Sequence, residues 1–270
     1  MTRAKPMALK YHHALFALLE QEPRLSEVAL RKLEEQEQAQ GMRFPESVRE
    51  WFSLEGVGEL FAGLTNSDEL VGPEELKIIA HDGRLLLHVA TENQGVYYWF
   101  VDCNGTDDPP VLDDDSRIDW DDQENFDFSH VMWRVSSYSF SSFIFAMLTG
   151  TRFGQGFRLS ATDSSPAPVV LASLRTDFLE GPRTSVPEKH VYRFAQPEAD
   201  LIIRSNTAEE IARGIAHWHL IAPTPDALAK LAKRVWPFGT LAKTLQSVGV
   251  AHNADAERRI LAQLTQEGSS

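Results

Sequence analysis

The densest chemistry in this 270-residue chain lies in one stretch: Asp113, Asp114, Asp115, Asp119, Asp121, Asp122 and Glu124, punctuated by Trp120 and Phe126. Clustered carboxylates invite a hard cation such as calcium. Calcium loops alternate oxygen ligands, turn on a glycine and close on a bidentate glutamate. No register of this stretch meets that spacing, so no metal is assigned to it. What remains is an acidic loop, either simply solvated or a docking surface for a basic partner. Trp120 and Phe126 then serve either as interface anchors, since aromatic residues dominate binding hot spots, or as pins that hold the loop to the core. These nine residues form the candidate partner-binding set.

The remaining constellations are thinner. His217 and His219 sit two apart on an expected strand, which puts both rings on one face as paired metal ligands would be. No Cys or acidic third ligand lies near them in sequence, so they read as strand histidines with packing roles. His12 and His13 are adjacent and therefore point to different helix faces. Cys103 is the single cysteine and stands beside Asp102, an anion that raises a thiol pKa and blunts the thiolate. There is no Gly-x-Ser-x-Gly elbow. Gly56-Val57-Gly58 lacks a third glycine, and Gly154-Gln155-Gly156 is followed by no Lys-Ser or Lys-Thr, so neither is a phosphate loop. No catalytic centre and no cofactor are expected.

Charge is divided unevenly. Residues 1–150 hold 27 acids and 12 bases, and residues 151–270 hold 12 acids and 14 bases, which makes the halves -15 and +2 within a net -13. An acidic half repels nucleic acid and anionic membrane and attracts basic proteins, although carboxylates also serve solubility alone. Basic residues in the second half are single and balanced by acids, so no nucleic-acid stripe is expected. The longest apolar runs, Val96 to Val101 and Phe143 to Leu148, fall far short of the ~20 residues of a membrane-spanning helix. No export signal is read near the N-terminus, and one cysteine allows no internal disulfide, so a cytoplasmic location is expected.

The elements that must carry these residues follow from periodicity. Leu9 to Leu19 reads as a helix. A second runs from the N-cap Ser26 through the polar run to Gln40 and stops at Gly41. Phe44-Pro45-Glu46 restarts a helix with Val48, Trp51 and Phe52 on one face, ended by Gly56 and Gly58. From Ile78 the pattern turns to sheet: a hairpin about His81-Asp82-Gly83, then Gly95 to Val101 as a central strand apolar on both faces. Phe140 to Leu148 closes a first domain of residues 1–150, capped by Ser137 or Ser139. The Ser/Pro cluster Ser160 to Pro168 reads as a linker or long loop. A second, smaller α+β domain of residues 151–270 then offers the hairpin Val191 to Phe194 and Leu201 to Arg204. A helix follows from Thr207 to Gly214, a strand from His217 to Ala222, and helices from Ala227 to Val235 and Asp255 to Gln266. The fold class is α+β.

Read in order, the segments Phe44-Pro45-Glu46-Ser47-Val48-Arg49-Glu50-Trp51-Phe52, Glu92-Asn93-Gln94-Gly95-Val96, Trp99, Asp108-Pro109-Pro110-Val111, Trp120 and Phe140-Ser141-Ser142-Phe143 form a series. That series resembles the SUKH superfamily, which groups a fungal cell-wall-assembly regulator with many bacterial toxin-immunity proteins. Gly56-Val57-Gly58 stands where an Asn-Gly pair is commoner, and the acidic insert after Val111 is longer than usual. The resemblance covers Phe44 to Leu148 and is silent on the second half. It implies a mixed sheet packed against helices and a non-catalytic role in binding a partner protein, in bacteria often a toxin domain. The expected function is therefore that of an immunity protein that neutralises a basic toxin domain, such as a nuclease. The alternatives are a regulatory scaffold whose first domain recruits a client for the second, and an enzyme in the C-terminal half.

Overall fold

The computed structural model describes residues 6–65, 68–114, 131–150, 152–154, 156–186, 188–248 and 253–267. The chain divides into two compact units, Met1–Arg152 and Phe153–Ser270. Both are α+β. Among the described residues no helix is long and apolar enough to cross a membrane.

The first unit runs α1 (His13–Leu18), α2 (Glu27–Gln40), α3 (Glu46–Phe52), α4 (Val57–Leu64), β1 (Glu69–Leu70), β2 (Ile78–His81), β3 (Arg84–Thr91), β4 (Tyr98–Asp102), β5 (Val111–Asp114), β6 (Arg134–Ser137) and α5 (Phe140–Gly150). Its sheet has the order β1-β3-β4-β5-β6, with β2 also on β3. The resemblance implied a mixed sheet, but among the described residues every pairing is antiparallel. The connections from β2 to β3, β3 to β4 and β4 to β5 are too short for the helical crossover a parallel pair needs. Asp82 and Gly83, both at positive φ, make the tight turn between β2 and β3. The helices bury Trp51, Phe52, Phe61, Phe140 and Phe143, with Phe140 stacked on both Phe52 and Phe143, and the sheet buries Leu87, Val101 and Val111. Each such side chain contributes roughly 1.5–3 kcal/mol of burial.

Local chemistry sets the helix ends. Ser26 Oγ accepts from Ala29 N, and Gly41 at φ 70° closes α2 in the left-handed region that favours glycine. Gly56 does not simply end α3: at φ 74° it is the residue from which α4 starts, burying Val57 and Phe61. Of the two candidate caps for α5, Ser139 takes the role, its Oγ accepting from Ser142 N at 3.2 Å. Asp108, in the proline turn, accepts from Ser141 N at 2.9 Å.

The expected helix from Leu9 shrinks to α1. The backbone N–H groups of Lys10, Tyr11 and His12 donate instead to the carboxylate of Glu50 on α3, at 2.6, 2.9 and 2.8 Å. Glu50 is 7% exposed. His12 is buried beside it, its Nε2 donating to the Ser47 carbonyl at 3.0 Å and its ring set against Trp51 and Phe140. One carboxylate therefore ties the entering chain to the aromatic core.

The second unit runs β7 (Phe157–Ser164), α6 (Pro168–Asp177), β8 (Leu179–Glu180), β9 (Thr184–Val186), β10 (Lys189–Gln196), β11 (Ala199–Ser205), α7 (Ala208–Ala212), β12 (Ile215–Ala222), α8 (Pro225–Val235), α9 (Leu241–Thr244), β13 (Gln246–Ser247) and α10 (Ala254–Glu267). Its antiparallel sheet has the order β13-β7-β12-β11-β10-β8, with β9 on β10. One face packs Leu159, Leu201, Ile203, Trp218 and Leu220 against α6, α8 and α10. The Ser160 to Pro168 stretch, expected as a linker, is instead the second half of β7 followed by the turn into α6. Its apolar residues Phe157, Leu159 and Ala161 face the core, while Ser160 and Thr162 point the other way, and that polar half of the alternation imitated a loop. Thr207 caps α7, its side chain accepting from Glu210 N, and Asn206 N donates to Glu210.

Removing the Glu50 carboxylate leaves the buried His12 N–H and the part-buried Lys10 and Tyr11 N–H groups without this acceptor, at about 1–3 kcal/mol for the buried one and less for the others. Glu50→Ala is therefore expected to lower the protection of α3 amides in hydrogen exchange by about 3 kcal/mol or more. Amides of α8 should not change, and Glu34→Ala, on an exposed side chain, should stay within about 0.5 kcal/mol.

Candidate functional site

Of the nine sequence-derived binding residues, Asp113 and Asp114 end β5. Asp115, Asp119, Trp120, Asp121, Asp122, Glu124 and Phe126 lie outside the described residues. Asp113 is the register partner of Arg134 on β6, whose Nε donates to Asp113 Oδ1 at 2.9 Å. The acid-rich connection thus leaves β5 and returns on β6, and its two ends meet in an ion pair. With the Arg134 side chain half exposed, the pair is worth no more than about 1 kcal/mol. It sets geometry more than stability.

Stronger anchoring comes from the residue just before it. Trp133 packs edge-on to Phe100, centroids 5.1 Å apart, and its indole N–H donates to His81 Nδ1 at 2.8 Å. Phe100 belongs to a cluster with Leu86 and Leu112, against which Ile79, Tyr98 and Trp133 pack. The sheet is therefore apolar on both faces, as expected for β4. His88 lies 5.1 Å from the Phe100 ring, with Nε2 near the Ala90 carbonyl and Thr91 Oγ1. Burial pushes its pKa down to about 4, opposed by the Ala90 hydrogen bond and assisted by the charge of Lys77.

Beyond Arg134 the surface turns apolar. β6 is the last strand of the sheet order, and among the described residues nothing pairs with its outer edge. On it and beside it Met132 is 76% exposed, Val135 46% and Tyr138 37%. The Arg134 guanidinium lies 6.0 Å from the Tyr97 ring centroid, which is also partly exposed. An edge strand offers unpaired backbone donors and acceptors, and exposed large apolar side chains alongside it give a partner something to bury. Sequence reasoning missed Met132 to Arg134. The signal was slight, a single apolar Val135 between Arg134 and Ser136, and it was overshadowed by the acidic run before it.

The other candidates resolve differently. The Cys103 thiol is pushed up to about 12, first by burial and then by Asp102, which keeps it protonated and unreactive. His217 and His219 share a face of β12. His217 is held between Thr162 Oγ1 at 3.2 Å and Glu210 Oε1 at 2.8 Å, while His219 Nε2 is buried without a hydrogen-bond partner among the described residues. Among the described residues no group of three or more His, Cys, Asp or Glu is placed to hold a metal ion. No protein-family model, curated protein or solved structure matches the chain.

The depressed pKa of His88 has a pH consequence. The unfolded chain takes up the proton near pH 6.5 and the folded chain only near 4, so this contribution to stability is intact above about pH 6.5 and lost as pH falls towards 4. A shift of this size corresponds to about 3 kcal/mol. His12 and His219 act in the same direction. Urea unfolding at pH 7 and pH 4 is expected to show a decline in stability that His88→Gln reduces by about 3 kcal/mol.

Proposed function

We propose that this is a non-catalytic protein-binding protein of the immunity type, whose first unit captures and neutralises a basic protein such as a toxin domain. The observation that carries this reading is the β5 to β6 connection. A segment holding seven carboxylates between Asp113 and Glu124 is joined to an edge strand that exposes Met132, Val135 and Tyr138. The two halves of the arrangement have different tasks. Charge acts over about a Debye length, ~10 Å at 0.1 M salt, and raises the encounter rate with a basic surface. Apolar side chains at the edge then supply burial, and backbone groups of β6 supply hydrogen bonds to an added strand.

The concentration of -15 of charge in residues 1–150 supports the same reading, as does the resemblance of Phe44 to Leu148 to the SUKH superfamily. Trp120 and Phe126 are assigned within it as aromatic anchors of the contact. A single, protonated cysteine suits a reducing cytoplasm, where an immunity protein meets its toxin.

The expected result of affinity capture by the intact chain from its host, at low salt, is retention of one basic protein that arrests growth when expressed without this chain. Near 1 M salt, where the Debye length is about 3 Å, most of it is released. Val135→Lys, which puts a cation on the exposed edge, abolishes retention, and Asp119→Asn with Asp121→Asn and Asp122→Asn slows association tenfold or more. Equal retention by all forms at both salt concentrations overturns the proposal.

A further inference from the structure

The sheet face of the second unit that is turned away from α6 and α8 carries cations that the fold itself leaves unused. Strand register sets them in rows across β7, β12, β11 and β10. One row runs Ser160, His219, Ile202 and Arg193. Arg204 stands in the row beside it, opposite His217, and Arg158 in the row on the other side, opposite Ile221. Three guanidinium-bearing residues therefore surround one imidazole.

Their charges are not matched. None of Arg158, Arg193 and Arg204 makes an ion pair among the described residues. Arg158 Nη2 donates to the Gly154 carbonyl at 3.2 Å, and Arg204 is exposed. Arg193 is buried deeply enough to be pushed down to about 10, with Arg204 adding repulsion. His219 is pushed down to about 4, first by burial and then by Arg204, His217 and Arg158. Two carboxylates belong to this region: Asp200, buried in the same row as Ile221 and Arg158 and not without a partner, and Glu210, held by His217 and by Asn206 N. Like charges gathered on a partly desolvated surface raise the energy of the fold, and a bound anion lowers it again.

The surface here is concave. A cavity of about 200 Å³ is bounded by Arg158, Arg204 and His219 on its polar side and by Ile202, Ile221 and Val248 on its apolar side. The buried Nε2 of His219, which has no hydrogen-bond partner among the described residues, is available to such a ligand as a donor. We infer that this cavity binds a small organic oxyanion, a carboxylate or phosphoryl group carried on a short apolar body. Arg158 and Arg204 grip the oxyanion by charge-assisted hydrogen bonds, His219 donates from the floor, and Ile202, Ile221 and Val248 cover the apolar part. Arg193 lies beside Ile202 and keeps the local potential positive. This site is independent of the edge of the first unit.

Calorimetric titration of the intact chain at constant ionic strength tests the inference, with inorganic phosphate and hexanoate as probes and chloride as the control. At least one probe is expected to bind saturably at a single site and to move the imidazole resonances of His219. Tighter phosphate binding identifies a phosphoryl ligand, and tighter hexanoate binding a carboxylate with an apolar tail. Arg204→Gln, at an exposed position that leaves the core intact, weakens binding tenfold or more, and Arg158→Gln does so independently. Heats equal to those of chloride, or affinity unchanged in both variants, overturn the inference.

Discussion

A carboxylate removed from water destabilises a fold by several kcal/mol unless hydrogen-bond donors replace its hydration. Both units of this protein are organised around one such glutamate. Glu50, on α3, takes three consecutive backbone N–H groups of the entering chain, which fixes where α1 begins and how His12 meets Trp51 and Phe140. Glu257, fully buried on α10, accepts from Arg158 N at 2.8 Å and from Ser247 Oγ, and so ties the last helix to β7 and β13. In each case the anion's needs decide the path of a segment distant in sequence. Neither glutamate is free to change without leaving backbone donors unpaired, which makes them constraints on what packs around them.

The two sheets then use their outer faces in opposite ways. In the first unit the face away from the helices is apolar, with Leu86, Phe100 and Leu112 covered by Trp133, and this holds the return of the acidic connection on the edge strand. In the second unit the corresponding face carries Arg158, Arg193, Arg204, His217 and His219. That division follows the charge asymmetry of the chain, -15 against +2, but localises it far more sharply than composition does.

Much of the scaffold was legible before any coordinates. Ser26, Gly41 and the Asp82-Gly83 turn act as punctuation because each satisfies a requirement confined to a few neighbouring residues. The strand from Gly95 to Val101 announced its two apolar faces through aromatic and β-branched residues, and Phe100 and Val101 are fully buried. Where a local signal met a distant partner it failed. Leu9 to His12 carries a helical pattern, yet Glu50, some forty residues away, claims its N–H groups. Ser160 to Ser164 has the composition of a loop, yet β12 and β13 supply strand partners on both sides.

Sequence alone therefore determined the α+β class, most helix ends, the charge division and the acidic stretch between Asp113 and Glu124, because these depend on residue type and short spacing. Tertiary structure alone decided that Asp113 pairs with Arg134 and that Met132 and Val135 stand on and beside β6, the last strand of the sheet order among the described residues. It alone also gathered Arg158, Arg193 and Arg204, which come from three separate strands, around His219. The physical reason is register. An antiparallel pairing shifted by one residue sends each side chain to the opposite face, and register is set by packing across the whole sheet rather than by any single segment.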